Sequence, residues 1–283
     1  MFVKSIIEDR LSTIIHSMTP ISGGDINEVY RIESAKGLFI AKINDLDQFP
    51  EMFDKEAKGL NLLQLHGVNT PNVVEYFQSE KIQVLILQYI EEGSQNPDFW
   101  NQFAEDLAKL HKCSQVQFGL DHDNYIGSLK QKNSFKDTWE EFFITNRIKP
   151  LVKIAFDLGR LNQDHLKRFN DFFTVFHELV PSEPPSLLHG DLWSGNLLCS
   201  KGQKPVFIDP AVYYGHREID LSMTQMFGGF NSRYIESYME IFPLEKGWME
   251  RLAIHNLYPN LVHLILFGSS YLGGIEPVIK KYT

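Results

Sequence analysis

The feature that most restricts the fold is a change of hydrophobic period near residue 91. Before it, apolar residues tend to recur at every second position. Glu28-Val29-Tyr30-Arg31-Ile32 alternates as a half-buried strand does, and residues 37–43 (GLFIAKI) and 84–89 (VLILQY) read as two more strands. Successive strand side chains point to opposite faces, so such segments need a shared sheet to bury their apolar half. One helical pattern lies between them, with Phe53, Ala57 and Leu60 three and four residues apart. After Glu91-Glu92-Gly93-Ser94 the period becomes that of a helix: Phe99, Phe103, Leu107 and Leu110 set it, and Trp139 to Ile154 and Leu166 to Leu179 continue it. Only 197–199 and 206–208 read as strands there, a hairpin across the turn-forming residues 200–203. The pattern predicts an α+β chain of two lobes. Residues 1–91 form a small antiparallel-sheet lobe with one main helix, and residues 92–283 form a larger, mostly helical lobe.

Composition agrees with two packed cores. Of 283 residues, 43% are apolar and 13% aromatic, which is too apolar for a disordered chain. Lysine and arginine number 27 against 36 acidic residues, and a net charge of -9 argues against a nucleic-acid partner. Cys113 and Cys199 are isolated, so neither a disulfide framework nor a zinc site is expected, and a reducing cytoplasm fits. The first fifteen residues carry Glu8, Asp9 and Arg10 inside an apolar stretch, as an amphipathic helix does and a secretion signal does not. No run of about 18 apolar residues is present, so no membrane span or membrane partner is expected.

The chemistry concentrates in residues 188–198, LHGDLWSGNLL, followed by Phe207-Ile208-Asp209-Pro210. Asp191, Asn196 five residues later and Asp209 thirteen after that, across a hairpin, stand in the order in which kinase-fold enzymes place a base and two metal-binding groups. A carboxylate at Asp191 can meet an acceptor hydroxyl. The Asn196 amide and Asp209 carboxylate supply the hard oxygens that Mg²⁺ requires. Asp, Gly, Ser and Asn are also ordinary turn formers, and it is the second strand ending in Asp209 that favours the chemical reading. Lys42 ends an apolar strand, where an ammonium can hold the phosphates of ATP. Glu56 lies fourteen residues later on the next helix as its candidate partner, with Glu51 as a second acidic residue nearby. Gly23 and Gly24, in a loop before the strand that precedes Lys42, could bring backbone N–H groups over the phosphates, although a paired glycine is also an ordinary hairpin turn. Trp193 stands where related sites carry a cation. Its indole is read either as an apolar wall against a sugar or as packing within the loop. Asp220 and His189 are read as supports of the loop rather than as acid or base.

At these residues the chain closely resembles the fructosamine kinase (ketosamine-3-kinase) family, which is related to aminoglycoside and choline kinases. Further stretches carry the resemblance: FGLDHDNYIGSLKQKN (118–133), Trp139 with Phe142, Phe143 and Arg147, IDPAVYYGHREIDL (208–221), and LYPNLVHLILFGSSYL (257–272). It covers nearly the full length. It implies a bilobal protein-kinase-like fold and ATP-dependent phosphorylation of the O3 hydroxyl of ketosamines, the fructose, ribulose or erythrulose adducts of small-molecule or protein-bound amines. The 3-phosphates are labile, so deglycation is the implied role. On the family pattern Asp191 is the base, Asn196 and Asp209 are metal ligands, Lys42 and Glu56 form the phosphate-holding pair, and Gln88, Tyr89 and Ile90 form the adenine-contacting linker. Neither cysteine lies in the phosphate-covering loop, so redox control there is not expected. The competing readings are an aminoglycoside-, choline- or homoserine-type kinase and a non-catalytic nucleotide-binding protein.

Overall fold

The computed structural model describes residues 2–21 and 26–282. In the smaller lobe, β1 (Ile15–Pro20), β2 (Glu28–Ser34), β3 (Gly37–Asp45), β4 (Val73–Ser79) and β5 (Ile82–Gln88) form one antiparallel sheet in the order β1-β2-β3-β5-β4. Two helices cover its two faces, α1 (Phe2–Leu11) and α2 (Met52–Leu65). Strand alternation sorts the residues. Ala41, Ile43, Val84 and Ile86 meet Ile7 and Leu11 of α1, while Leu85 and Leu87 meet Met52, Phe53, Ala57 and Leu60 of α2. Lys42, between Ala41 and Ile43, therefore faces the α2 side. β1 and β4 are absent from the sequence reading because they are the sheet's edges, where exposed polar residues such as His16 and Gln78 interrupt the alternation.

The start of α2 is fixed from the sheet. Glu51 at its N-cap makes no side-chain capping bond. Buried Gln83 of β5 instead accepts the Phe53 N–H at 3.2 Å and donates to the Phe49 carbonyl. This sets the helical phase that carries Glu56.

The larger lobe contains α3 (Pro97–His111), the hairpin β6 (Asn124–Ile126) and β7 (Leu129–Gln131), α4 (Trp139–Phe142), α5 (Lys149–Asp157) and α6 (Gln163–Leu179). These are followed by β8 (Ser186–Leu188), β9 (Leu197–Cys199), β10 (Pro205–Phe207), β11 (Tyr213–Gly215) and α7 (Glu218–Met226). Four helices close the chain: α8 (Arg233–Ile241), α9 (Trp248–His255), α10 (Leu257–Phe267) and α11 (Glu276–Lys281). β9 pairs with β10 as the sequence predicts, and β8 pairs with β11. α3 begins with an Asn96 side chain accepting the Phe99 N–H at 2.8 Å and Pro97 in the first turn, and it buries Phe99, Phe103, Leu107 and Leu110.

The continuous helix expected over 139–154 is interrupted by a π-helical segment, Phe143–Ile148, between α4 and α5. Pro150 has no N–H to offer the Asn146 carbonyl, and the Arg147 guanidinium donates there instead at 3.4 Å. The π-turn aims Arg147 into the core, where it is fully buried. Its guanidinium lies 3.9 Å from the centroid of the Tyr213 ring, donates to Asn133 Oδ1 at 2.7 Å and also reaches the Lys132 carbonyl. Arg147→Lys keeps the charge but loses the planar fork and the stacking face, and should lower unfolding stability by about 2–4 kcal/mol in denaturant titration. An unchanged midpoint would show that those contacts are dispensable.

Candidate active site

The segment after β8 is shaped by one buried carboxylate. Asp220, in the first turn of α7, accepts the N–H of His189 at 2.7 Å and that of Gly190 at 2.9 Å, and lies 3.2 Å from His111 Nε2. Gly190 adopts φ +83, and a Cβ there would sit 2.1 Å from the Ala211 carbonyl oxygen, so only glycine fits. This turn delivers Asp191. His189 is a strut: its Nε2 bonds the Ile208 carbonyl at 2.9 Å, and its carbonyl accepts the Ala211 N–H at 2.9 Å. Burial holds its imidazole below the ordinary pKa, which suits a neutral scaffold. Asn196 Nδ2 donates to the Asp191 carbonyl at 2.8 Å and to its carboxylate at 3.2 Å. Asp209, just past β10, holds φ +53, a left-handed conformation that is strained for a non-glycine residue.

Lys42 joins the lobes. Its ammonium is 2.7 Å from Glu56 and 3.0 Å from Asp209, whereas Glu51 pairs with Lys55 at 3.3 Å. Burial works against the Lys42 charge, but the Asp209 and Glu56 carboxylates outweigh it and raise its pKa above the ordinary value. Burial raises Glu56 against the pull of Lys42. Asp191 is pushed up to about 7, by burial first and by the charge of Asp209 second, with the Asn196 hydrogen bond opposing both.

These groups line a cleft of about 240 Å³ between the lobes. Lys42, Glu56, Asp191, Trp193, Asn196 and Asp209 all border it. Gln88, Tyr89 and Ile90 follow the sheet into the linker and are not among its lining residues. Gly23 and Gly24 lie outside the described residues, although Ile26 and Asn27, which follow them, do line the cleft. The indole of Trp193 is 40% exposed, lies over Gly195, and meets Phe227 edge-on at 6.3 Å. It is thus packed in its loop and open to the cleft at once.

Sequence reasoning missed Lys55, Tyr125, Gly127 and His263, which line the same cleft, and the support His111. His111 had a signal: it follows Leu107 by four residues, on the buried stripe of α3, where a polar side chain needs a partner. Among the described residues a cluster of metal-ligand type lies elsewhere, at His216, Glu218 and His255. Its carboxylate is already held by Arg251 at 2.9 and 2.5 Å and by His255 at 3.1 Å. Burial alone would raise Glu218, yet these bonds bring it down to about 2, so the cluster is an internal charge network rather than a metal site.

An antiparallel-sheet lobe whose lysine is paired to a helix glutamate, set over an Asp–Asn–Asp cleft on a helical lobe, defines a protein-kinase-like phosphotransferase. The same architecture occurs in an aminoglycoside phosphotransferase solved with AMP-PNP and hygromycin B, which superposes with a TM-score of 0.67 over 98% of this chain and 97% of that one at 14% identity. That likeness concerns fold alone. A candidate fructosamine-3-kinase from Thermobifida fusca superposes with a TM-score of 0.87 at 30% identity, covering 98% of this chain and 97% of that one. A protein from Enterococcus faecium named probable ketoamine kinase is 38% identical over 267 residues, 93% of this chain and 94% of its own. The fructosamine kinase family model matches residues 2–283, and the chain belongs to that family. It is a phosphotransferase acting on sugar hydroxyl groups, and as a kinase it uses ATP. No helix among the described residues is long and apolar enough to cross a membrane.

The raised pKa of Asp191 has a consequence for stability. Its carboxyl titrates near 7 when folded and at about 3.9 when unfolded, so between those values the folded state binds more protons and stability falls as pH rises. Asp191→Asn should therefore raise the melting temperature, and by more at pH 8 than at pH 5. An equal shift at both would mean the carboxylate carries no such penalty.

Proposed function

We propose that this enzyme transfers the γ-phosphoryl group of ATP to the O3 hydroxyl of ketosamines, the fructose, ribulose or erythrulose adducts of amines, free or protein-bound. The observation that carries the reading is the placement of a buried Asp191 carboxylate beside Asn196 and Asp209 in a cleft that Lys42 spans. In this mechanism the acceptor O–H donates to Asp191, the O3–phosphorus bond forms as the bond from γ-phosphorus to the bridging oxygen breaks, and the proton passes to Asp191. Lys42, oriented by Glu56, positions the nucleotide phosphates. The residues fit Mg²⁺: Asn196 spends its N–H₂ on Asp191, which leaves its amide oxygen as a hard donor, and the Asp209 side chain is 45% exposed toward the cleft. When bound there, the ion supplies charge neutralisation at the phosphates. The linker Gln88 to Ile90 contacts adenine, and the loop with Gly23 and Gly24 covers the phosphates. Because the 3-phosphate is labile, the product regenerates the amine, and deglycation is the physiological role.

The catalytic loop carries Trp193 in place of a cation, and its exposed indole face suits the apolar face of a sugar. The boundary between the two functional lobes falls between residues 91 and 92. There the Lys201 N–H bonds the Glu91 carbonyl at 2.7 Å and the Gly93 N–H bonds the Cys199 carbonyl at 2.8 Å, tying the chain to the larger lobe.

With Mg²⁺ and ATP, a panel of fructosyl-, ribulosyl- and erythrulosyl-lysine, kanamycin, choline and homoserine should show turnover on the ketosamines. Asp191→Asn should lower kcat by about 10²–10⁴ while AMP-PNP still binds. Near-normal turnover in the variant overturns the mechanism, turnover on another acceptor overturns the substrate, and none on any favours a binding protein. Trp193→Leu should raise the ketosamine KM by about 3–10-fold with kcat less affected. A lower melting temperature with unchanged KM would reduce the indole to loop packing.

A further inference from the structure

The stretch 118–133 folds into the β6–β7 hairpin and its flanks, and this hairpin is attached to three separate parts of the cleft. At its base, side chains that are at most 5% exposed bond to the segment between Asp209 and β11. Asn124 Nδ2 donates to the Val212 carbonyl at 2.9 Å, and Gln131 Nε2 donates to the Ala211 carbonyl at 3.0 Å and to Asn124 Oδ1 at 2.7 Å. The Tyr258 hydroxyl holds Gln131 Oε1 at 2.5 Å. Every partner is a polar group that burial would otherwise leave unpaired, so the base is rigid.

In its middle, the hairpin crosses to the other lobe. The Tyr125 hydroxyl donates to the Pro50 carbonyl at 2.9 Å, just before α2, and the Tyr125 ring packs against the Met52–Phe53–Ala57–Leu60 cluster of the sheet lobe. At its tip, Gly127 turns with φ +57, and a Cβ there would lie 2.9 Å from Leu266 of α10 and 3.6 Å from Ile26. The tip is therefore wedged between α10 and the sheet-lobe residue that follows Asp25. Tyr125 and Gly127 also border the cleft beside Asp191.

We infer that this hairpin is an acceptor-site wall completed only when the sheet lobe is seated on it, and that Tyr125 is the positioning residue that makes nucleotide and acceptor binding cooperative. The inference rests on the reading of the cleft as a site for ATP and a ketosamine. A ligand held by the sheet lobe favours the seated arrangement in which the Tyr125 hydroxyl reaches Pro50. That arrangement also presents the wall to the acceptor. Each ligand thereby favours binding of the other, by the same factor in both directions.

The test is the affinity of Mg²⁺–AMP-PNP with and without Nε-fructosyl-lysine, in the wild type, Tyr125→Phe and Tyr125→Ala. The phenylalanine keeps the ring packing and deletes only the hydroxyl. The wild type should bind the nucleotide more tightly with the acceptor present. Tyr125→Phe should reduce that coupling factor by about 3–10-fold. A merely structural Tyr125 would instead change the melting temperature and leave the factor alone, and an unchanged factor in both variants overturns the inference. Hydrogen exchange supplies a readout independent of the acceptor: AMP-PNP should slow exchange over 124–131 in the wild type and much less in Tyr125→Phe. Equal protection overturns the inference even if fructosyl-lysine proves not to be phosphorylated, an outcome that would count separately against the substrate assignment.

Discussion

The site depends on the carboxylate of Asp220, which is fully buried yet satisfied. A charge removed from water costs several kcal/mol unless hydrogen bonds replace the lost solvation. Here the two backbone N–H groups of His189 and Gly190 and the imidazole of His111 replace it. Three elements meet at that one group: α7 carries the carboxylate, α3 carries the histidine, and β8 runs into the two amides. His111 is bonded in turn to the Tyr238 hydroxyl at 2.8 Å, which extends the anchor to α8. The positive φ of Gly190 is held by this arrangement, and the direction of Asp191 follows from it.

Charge balance explains why the cleft is built as it is. The Lys42 ammonium lies in one cleft with the carboxylates of Glu56, Asp191 and Asp209, while Lys55 at its border is paired with Glu51 and Asp54. Glu56 and Asp209 sit directly on Lys42, whereas Asp191 has no such partner among the described residues: burial first, and the nearby charge of Asp209 second, hold its proton up to about 7. A site with these carboxylates suits a divalent cation bound between Asn196 and Asp209, and it places the titration of Asp191 in the range where a base works at neutral pH.

How much of this was legible in the sequence follows the range of each interaction. The two lobes are visible in the switch from a two-residue to a 3.6-residue period, which is local information. The Asp191–Asn196–Asp209 order is visible because a single hairpin, β9–β10, carries most of it. What stays hidden either breaks a period or joins distant residues. The edge strands β1 and β4 lack alternation, and the π-turn at 143–148 depends on the missing N–H of Pro150. The Lys42–Asp209 pair spans 167 residues, Tyr125–Pro50 spans 75 and Gln131–Ala211 spans 80, and no local pattern encodes such separations.

The remaining residues of the HGDLWSGN segment are explained by steric fit more than by reactivity. Leu192 is fully buried, and His189 bridges to the carbonyl before Asp209. Gly195 is required because the Trp193 indole covers it, with a Cβ there lying 2.2 Å from the ring. Tryptophan at 193 and glycine at 195 are therefore one feature: a smaller residue at 193 would release the constraint on 195, and any side chain at 195 would displace the indole from its place beside the cleft. Gly190 stands in the same relation to the Ala211 carbonyl. Asp191 and Asn196 are thus held by a loop in which Gly190 and Gly195 leave no room for a Cβ where they stand. That is why so short a segment identifies the fold, although Asp, Gly, Ser and Asn are individually the commonest of turn residues.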